Sequence, residues 1–519
     1  MDKSMRRGVV MVVLSLAAFP LALPAVAGPY GTVTVYQVSG TPRPPADGDS
    51  PFADCDTSGF YLPGETDYVN TEIEAAVAVN PTDSSNIITA YRQDTFSFGR
   101  ARGLVAGVSH DGGQTWSATF PSFSICAGGN VTNGGDFQRA SDVSVGFSPN
   151  GTAYFSSTTV NFVGTADSAV RVSTSTDGGD HWSEPVTLVR DLSDVAPFYN
   201  HGRASITADP FDSNVVYVTW QRSRKPGLAH SPNAEHTFAF RSDTMFARST
   251  DGGQTWEEPQ AIVKYRDNSG TFYNQLEVLP DGTLVVVFDN LQGAGCDLSG
   301  TQGKGCDIKA IRSTDRGDTW SDPIEVARER AIPAVDPDTG RPIQVAIGRP
   351  DVAVDLNPSS PGYGTIYAAW ADRFGSPKKT PSSNVVFTES TDGGLTWSPL
   401  AKVNQSPVGV DAFTPAVGVA SDGTIAVTYY DFRYNTPDPG VPTDFWMIQC
   451  QAGSDCTDPS MWVEAHVAGS FDFERAPVVS RATLGSYTGL TSIGTTFLPL
   501  FDQTTDTDQA NMYLGVVEP

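Results

Sequence analysis

Histidine is scarce, with six residues in a chain of 519. None of the six cysteines sits in a CxxC pair, so the ligand clusters of a zinc site are lacking and no metal or other cofactor is expected. Basic residues are outnumbered: 33 Lys and Arg face 59 Asp and Glu, a formal net charge of −26. A surface of that sign repels nucleic acid and anionic membranes, so neither is expected as a partner. Beyond residue 27 no apolar run is long enough to cross a bilayer. No stretch keeps its apolar residues at the 3.6-residue period of an amphipathic helix. These absences exclude a helix bundle and leave an all-β chain, long enough for two or three ordinary domains or one large one.

The chain opens "MDKSMRRGVVMVVLSLAAFPLALPAVAG". Lys3, Arg6 and Arg7 form a basic region, Val9 to Leu23 an apolar one, and Ala25-Val26-Ala27 a small-x-small site. Residues 1–27 read as a signal peptide, with an uncleaved anchor as the alternative. The mature protein is expected to be secreted, periplasmic or on the cell surface, and to be a monomer that does not insert into the membrane. An even cysteine count in an exported chain points to disulfides. Cys296 with Cys306 and Cys450 with Cys456 make short local loops, which leaves Cys55 with Cys126.

One phrase recurs: "VSHDGGQTW", "TSTDGGDHW", "RSTDGGQTW", "RSTDRGDTW" and "ESTDGGLTW" end at Trp116, Trp182, Trp256, Trp320 and Trp397. Spacing of 64 to 77 residues is that of a repeated structural unit. Its glycines permit the positive φ of a tight hairpin. Its aspartates, Asp111, Asp177, Asp251, Asp315 and Asp392, can bond the turn backbone. These boxes read as architecture; a calcium loop would need more carboxylates than each provides. Between them stand strand pairs joined by "PNG", "PDG" or "SDG" turns, at 75–92, 141–157, 205–220, 275–289, 351–370, 415–431 and 487–502. Each unit is expected to be a four-stranded meander, A to D, with the box joining C to D. The sixth has a degraded box, "CQAGSDCTDPSMW". The seventh ends after one further strand, "NMYLGVVEP", and its fourth is sought in "GTVTVYQV" at 31–38. Strands from both termini would then close a single domain, residues 28–519, into a propeller of seven blades and remove its open edges. Six blades with an odd terminal sheet is the alternative.

The boxes at this spacing resemble the Asp-box (bacterial neuraminidase repeat) proteins of the sialidase superfamily. The resemblance implies a β-propeller and a glycan ligand. It also implies a Tyr–Glu nucleophile, an Asp acid/base and three arginines that clamp a carboxylate. The chain departs from that pattern. Where the family opens its first blade with an Arg, "NTEIEAAVAV" offers Glu72 and Glu74. In "YNQLEVLPDGTLVVVFDN", Tyr273 stands at the family's Glu and Asp289 at its Arg. Ordinary exo-sialidase catalysis is therefore not expected.

Residues flanking strands A and B would rim the channel opposite the boxes, where propeller ligands sit. Before strand A stand Arg139, Arg203, Arg349 and Arg475. After strand B stand Arg92, Asp94, Arg222, Asp289, Asp372, Arg373, Asp431, Arg433 and Asp502. They read either as a pocket for an anionic or polyhydroxylated ligand or as Arg–Asp staples between blades. The ligand-binding candidates are Arg92, Arg139, Arg203, Arg349, Asp372, Arg373, Asp431 and Arg433. The catalytic candidates are Tyr273, His201, Glu72 and Asp94, with Tyr199 beside them. Trp220, Trp370 and Tyr430 read as packing rather than sugar-stacking aromatics. Two functions follow: a glycoside hydrolase or lyase with a reworked mouth, or a non-catalytic binding or assembly propeller of the cell envelope.

Overall fold

The computed structural model of the protein describes residues 26–27, 31–39, 50–164, 166–193, 197–226, 240–266, 268–292 and 306–519. The other residues of the expected signal peptide and Cys296 lie outside them. Among the described residues helix is confined to short 3-10 turns, and no helix is long and apolar enough to cross a membrane.

The strands pair as antiparallel meanders. The first comprises Asp67–Asn80, Asp83–Phe96, Ala101–Ser109 and Ser117–Thr119. The second comprises Arg139–Phe147, Ala153–Asn161, Ala166–Ser175 and Val186–Ser193. The third comprises Phe198–Ala208, Val216–Lys225, Arg241–Ser249 and Gln260–Val263. The fourth comprises Ser269–Val278, Leu284–Gln292, Cys306–Ser313 and Ile324–Arg328. The fifth comprises Asp351–Val354, Ile366–Asp372, Asn384–Ser390 and Ala401–Lys402. The sixth comprises Ala412–Val419, Ile425–Asp431, Pro442–Cys450 and Trp462–Asp472. In each, the strands are called A to D in chain order.

The last sheet draws on both ends of the chain. Gly489–Ile493, Thr496–Gln503 and Asn511–Val517 are completed by Thr32–Gln37, with Val33 opposite Val517 and Gln37 opposite Tyr513. Val26–Ala27 add a short outer pair. Period-2 burial explains the closing strand: Val33 and Val35 face the core and Thr34 and Tyr36 lie outward.

The repeated phrase builds the C–D hairpin. In the first box the Ser109 hydroxyl donates to Asp111 Oδ1 at 2.8 Å and accepts from Gly113 N at 2.9 Å. Thr115 N and Oγ1 donate to the same carboxylate at 2.9 and 2.6 Å. The same bonds recur at Asp251, Asp315 and Asp392, and His181 replaces Thr at Asp177. Each carboxylate is thus consumed by its own turn. The second glycine is favoured by its backbone conformation and by its close packing. Gly179 has φ +101°, and a Cβ there would lie 2.8 Å from Ile88 of the preceding meander. The tryptophans wedge between neighbours: Trp320 meets Phe246 edge-on at 5.3 Å, and Trp182 Nε1 donates to Thr119 Oγ1 at 2.9 Å. In the sixth meander Cys450–Cys456 takes the place of the box, and Cys55–Cys126 ties an N-terminal loop to the segment after the first box. Cys306 is also disulfide-bonded. A–B turns and boxes share one end of the sheets, since Gly112 N donates to Ser85 O and Gly252 N to Asn214 O.

Glu72 sits at the seam where the chain ends meet. Ser39 Oγ donates to its Oε2 at 2.7 Å and itself accepts from Met512 N at 2.7 Å, while Gln93 Nε2 donates to Oε1 at 2.6 Å. Burial pushes this carboxyl up to about 8, against the pull of Ser39 and Gln93. Between the usual carboxylate range and pH 8 the unfolded chain has lost this proton and the folded protein holds it. Stability from this group is therefore complete in acid and falls as pH rises to about 8. Melting temperature should drop between pH 5 and pH 8, and Glu72→Gln should flatten that part of the profile. An identical slope in the variant would remove Glu72 from the account. Deleting residues 28–40 removes Val33, Val35 and Val38 from the core, each worth about 1.5–3 kcal/mol when buried. A loss of several degrees in melting temperature is expected, and no change would show that the seam carries no stability.

Candidate functional site

Strand A of each of five meanders carries the same irregularity. Two residues bulge opposite one of strand B: Glu74-Ala75, Asp142-Val143, Arg203-Ala204, Tyr273-Asn274 and Thr414-Pro415. The first of each pair is left-handed, with φ of 59°, 55°, 55°, 55° and 51°. A bulge re-aims a side chain out of the alternation of its strand. Positive φ at non-glycine residues costs of order 1–3 kcal/mol and collects at functional sites. Arg349 and Tyr487 occupy the same position, two residues before the first regular pair, in the fifth and last sheets.

These side chains meet. Arg203 lies 4.9 Å from the Tyr273 ring and 5.9 Å from the Tyr487 ring, and Arg349 lies 4.7 Å from Tyr487. Arg203 Nη1 is 3.7 Å from both Glu74 Oε1 and Asp142 Oδ1. Arg92 pairs with Glu74 and lies 3.6 Å from Asp142. Together they form a septum. On one side is a cavity of about 590 Å³ lined by Glu74, Arg92, Arg100, Asp142, Arg203 and Gln221. On the other is a chamber of about 240 Å³ that shares Asp142 and Arg203 and reaches Glu277 and Asp351. Gly485, at φ +89°, lets the wall pass Glu74: a Cβ there would lie 2.8 Å from Glu74 N.

Cations dominate the larger cavity. Arg100, in the B–C turn of the first meander, donates to Asn200 Oδ1 at 2.6 Å and to Thr158 Oγ1 at 3.2 Å. Burial lowers its guanidinium to about 10, so it stays charged at neutral pH. Burial would raise the Asp142 carboxyl, but Arg203, Arg92 and Arg100 with the Thr158 hydroxyl hold it at about 2. Burial works against the charge of Arg203, and Tyr273, Glu74 and Asp142 more than reverse that, so its proton is held more tightly than usual. Three guanidiniums thus face two carboxylates.

Of the residues read from the sequence, Arg92, Arg203, Arg349 and Tyr273 belong to this septum. The structure places the others elsewhere. Arg139 is fully buried, donates to both oxygens of Glu65 at 2.6 Å, and lies 4.1 Å over Phe96. Glu72 faces the seam rather than the cavity. Asp94 is buried and accepts from Ser50, Asn70 N and Gln93. His201 is buried; Trp220 Nε1 donates to its Nδ1 at 3.0 Å and its Nε2 lies 3.0 Å from Asp191. Burial lowers its pKa. Arg222 closes the same cluster on Asp191 and covers the Tyr199 ring at 4.0 Å. Asp372 accepts from Arg330 N and Phe374 N, both at 2.7 Å. Asp431, Arg433 and Glu464 form a network over Trp446, and Arg373 is exposed. Asp289 is buried beside Glu329, and burial together with that neighbour raises its carboxyl. Trp220, Trp370 and Tyr430 are fully buried. Glu74, Asp142, Arg100 and Tyr487 were not singled out for the mouth by the sequence reading. The bulge adds a residue to strand A, so counting by twos from the strand start misses the residue aimed at the axis.

The BNR/Asp-box repeat matches residues 108–118 and 247–258. The chain carries Asp-box repeats. The sequence resemblance to Asp-box repeat proteins is borne out by this match. The Asp-box protein is 29% identical over 236 residues to xyloglucanase Xgh74A of Acetivibrio thermocellus, a match covering 44% of this chain and 23% of the relative. It thus spans less than a quarter of the curated relatives it matches. Among solved structures it is similar to the α-L-arabinanase of Penicillium chrysogenum complexed with arabinobiose, at 11% identity and TM-score 0.44, over 79% of this chain and 94% of that one. It is also similar to the Trypanosoma rangeli sialidase in complex with sialic acid, at 11% identity and TM-score 0.43, over 88% and 59%. A protein of unknown function from Dyadobacter fermentans aligns at 14% identity and TM-score 0.43, over 88% and 100%.

The arginines of the Asp-box protein should separate into two classes. Arg139→Ala strands the buried carboxylate of Glu65 and should cost about 3–5 kcal/mol of stability. Arg203→Ala should cost much less, because Arg92 still pairs with Glu74 and Asp142. Thermal melts of the two variants check this; equal losses would make Arg203 a staple like Arg139.

Proposed function

We propose that this protein is an exported propeller, formed by residues 28–519 as one ring of seven blades, that binds an acidic glycan in the cavity above the septum. Seven meanders and the pairing of Thr32–Gln37 with Asn511–Val517 support the ring. The observation that carries the function is the convergence of Arg92, Arg100 and Arg203 on two carboxylates in a chain of net charge −26. A local excess of guanidinium in such a protein selects a negative ligand, and the planar fork suits a carboxylate.

Binding is favoured over two-carboxylate hydrolysis. That mechanism needs one protonated carboxyl at neutral pH. Asp142 is held ionised, and Glu74 is paired with Arg92. Arg203→Ala or Arg100→Ala should weaken binding of a uronic acid by roughly tenfold to a hundredfold, the worth of a charge-assisted bond. Calorimetry at two salt concentrations checks this; unchanged affinity in both variants would defeat the proposal. Terminal sialic acid release from a fluorogenic sialoside should be negligible, and brisk turnover would restore the catalytic reading.

The likeness to a xyloglucanase over 236 residues favours a second reading, cleavage of xyloglucan. Release of reducing ends from xyloglucan would support it, and the Arg203→Ala variant would tell whether this cavity is responsible.

A further inference from the structure

The two sides of the septum differ in sign. In the larger cavity guanidiniums outnumber carboxylates. The chamber of about 240 Å³ on the other side is lined by Asp142, Glu277 and Asp351 against Arg203 and Arg349, so one negative charge is left over. Past the bulge strand A returns to its alternation, and every second side chain turns toward this chamber. In the third meander Ser205 and Thr207 are partly exposed while Ile206 between them is buried. In the fourth Gln275 and Glu277 are partly exposed while Leu276 and Val278 are buried. In the fifth Asp351 is partly exposed and Val352 is buried.

Most of these polar groups have partners. Asp351 Oδ2 accepts from Val417 N at 2.8 Å, and its Oδ1 lies 3.7 Å from Arg349 Nη2. Thr207 Oγ1 donates to Leu276 O at 2.8 Å, and Ser205 Oγ to Gln275 Oε1 at 3.4 Å. Glu277 is the exception. Among the described residues it accepts no hydrogen bond and pairs with no base, and the charge that acts on it is that of another carboxylate, Asp351. Burial, and after it Asp351, pushes the Glu277 carboxyl up to about 8. The other ionisable groups of the chamber, Asp142, Arg203, Tyr273, Arg349 and Tyr487, enter from the septum and engage one another there. Thr488, on the last sheet, is a second unmet group. It is 4% exposed, lines the same chamber, and its hydroxyl has no hydrogen-bond partner. Unpaired polar groups around an enclosed space are costly unless a ligand meets them.

The groups with lone pairs to give are all oxygen: the Glu277 and Asp351 carboxylates, the Gln275 side-chain carbonyl, and the Ser205, Thr207 and Thr488 hydroxyls. That is the donor set of a hard cation, and no thiol or imidazole lines the chamber to favour zinc or copper. Neutral oxygens from several strands suit the irregular, partly hydrated sphere of Ca²⁺ better than the strict octahedron of Mg²⁺. We propose that the chamber is a calcium site, with Glu277 and Asp351 as its charged ligands and the neighbouring carbonyl, hydroxyls and water completing the sphere. The ion bridges strand A of the fourth and fifth sheets, four residues from Tyr273 and two from Arg349. It thereby braces the septum from beneath and needs nothing from the cavity on the other side. As it binds, the Glu277 carboxyl gives its proton to solvent and its oxygens take the ion.

The experiment titrates the whole mature chain, freed of divalent ions, with calcium chloride by calorimetry, and melts it with calcium chloride or with choline chloride at equal ionic strength. Affinity for calcium should rise roughly tenfold per pH unit between pH 6 and pH 8, because one proton leaves as one ion binds. Calcium at about a hundredfold above its dissociation constant should raise the melting temperature by roughly 2–4 °C, and choline should not. Glu277→Gln should abolish both effects and, without calcium at pH 9, melt no lower than the parent, since it removes the unpaired charge. Asp351→Asn keeps an acceptor for Val417 N and should weaken calcium at least tenfold; it carries the test if Glu277→Gln does not fold. Calcium binding that persists undiminished in both variants would place the ion elsewhere on the acidic surface and overturn the proposal. So would an affinity that is the same at pH 6 and pH 8, or no calcium binding by the parent at either pH.

Discussion

The site depends on one backbone event, the left-handed residue that interrupts strand A. A regular strand directs alternate side chains into the sheet interfaces on either side, and none of them along the axis. The two-for-one bulge frees one side chain per sheet from that alternation. Because the event recurs at the same register, the freed side chains share one level. Glu74, Asp142, Arg203 and Tyr273 are neighbours because of it. The residues they face on strand B, among them Trp220 and Tyr429, are buried and fill the space that the bulge opens behind it. Five of the seven units accept strain at that residue, and the energy to hold it comes from the hydrophobic clusters between the sheets.

The repeat and the site are distinct layers of the same sequence. The boxes consume their own polar groups in turn geometry and send only a tryptophan outward, toward the neighbouring sheet. Their aspartates are spent as hydrogen-bond acceptors. Chemistry is therefore left to positions where the repeat fixes the backbone but not the residue. At the bulge the seven sheets supply Glu, Asp, Arg, Tyr, Arg, Thr and Tyr. A symmetric scaffold thereby holds an asymmetric arrangement of charges: Glu74 and Asp142 balance Arg203 and Arg349, and the surplus of cations toward the cavity comes from Arg92, Arg100 and Lys225.

Much of the fold was legible because its signals are local. Turn dipeptides, box hairpins and period-2 strands placed every A–B pair. The closing strand at 31–38 was found by counting strands, and it pairs where the count required. Cys55–Cys126 and Cys450–Cys456 followed from loop length and elimination. The site was less legible. Arginines beside strand ends look alike in sequence, yet Arg139 is a buried staple on Glu65 and Arg203 lines the cavity. Only long-range partners separate them: Glu65 lies 74 residues from Arg139. Glu72 and Glu74 differ by two positions and by everything in surroundings, because the bulge between Ile73 and Ala76 reverses which of them meets the axis. Arg100 carries no motif; a turn glycine and an exposed Phe are its only local marks.

The seam between the chain ends also sets a clock. Val33 cannot meet Val517 until the chain between them has been made, and the loop closed by that contact takes in six of the seven sheets. Most other pairings join strands adjacent in sequence and can form as they emerge. Loop-closure entropy grows only slowly with length, so the penalty is chiefly one of waiting and search rather than of final stability. During synthesis the strand Thr32–Gln37 waits for the last sheet to be made and presents an unsatisfied edge. A ribosome-bound or truncated chain would thus hold several finished sheets and one sticky flank, the natural target for a chaperone and the first place for two copies to exchange strands.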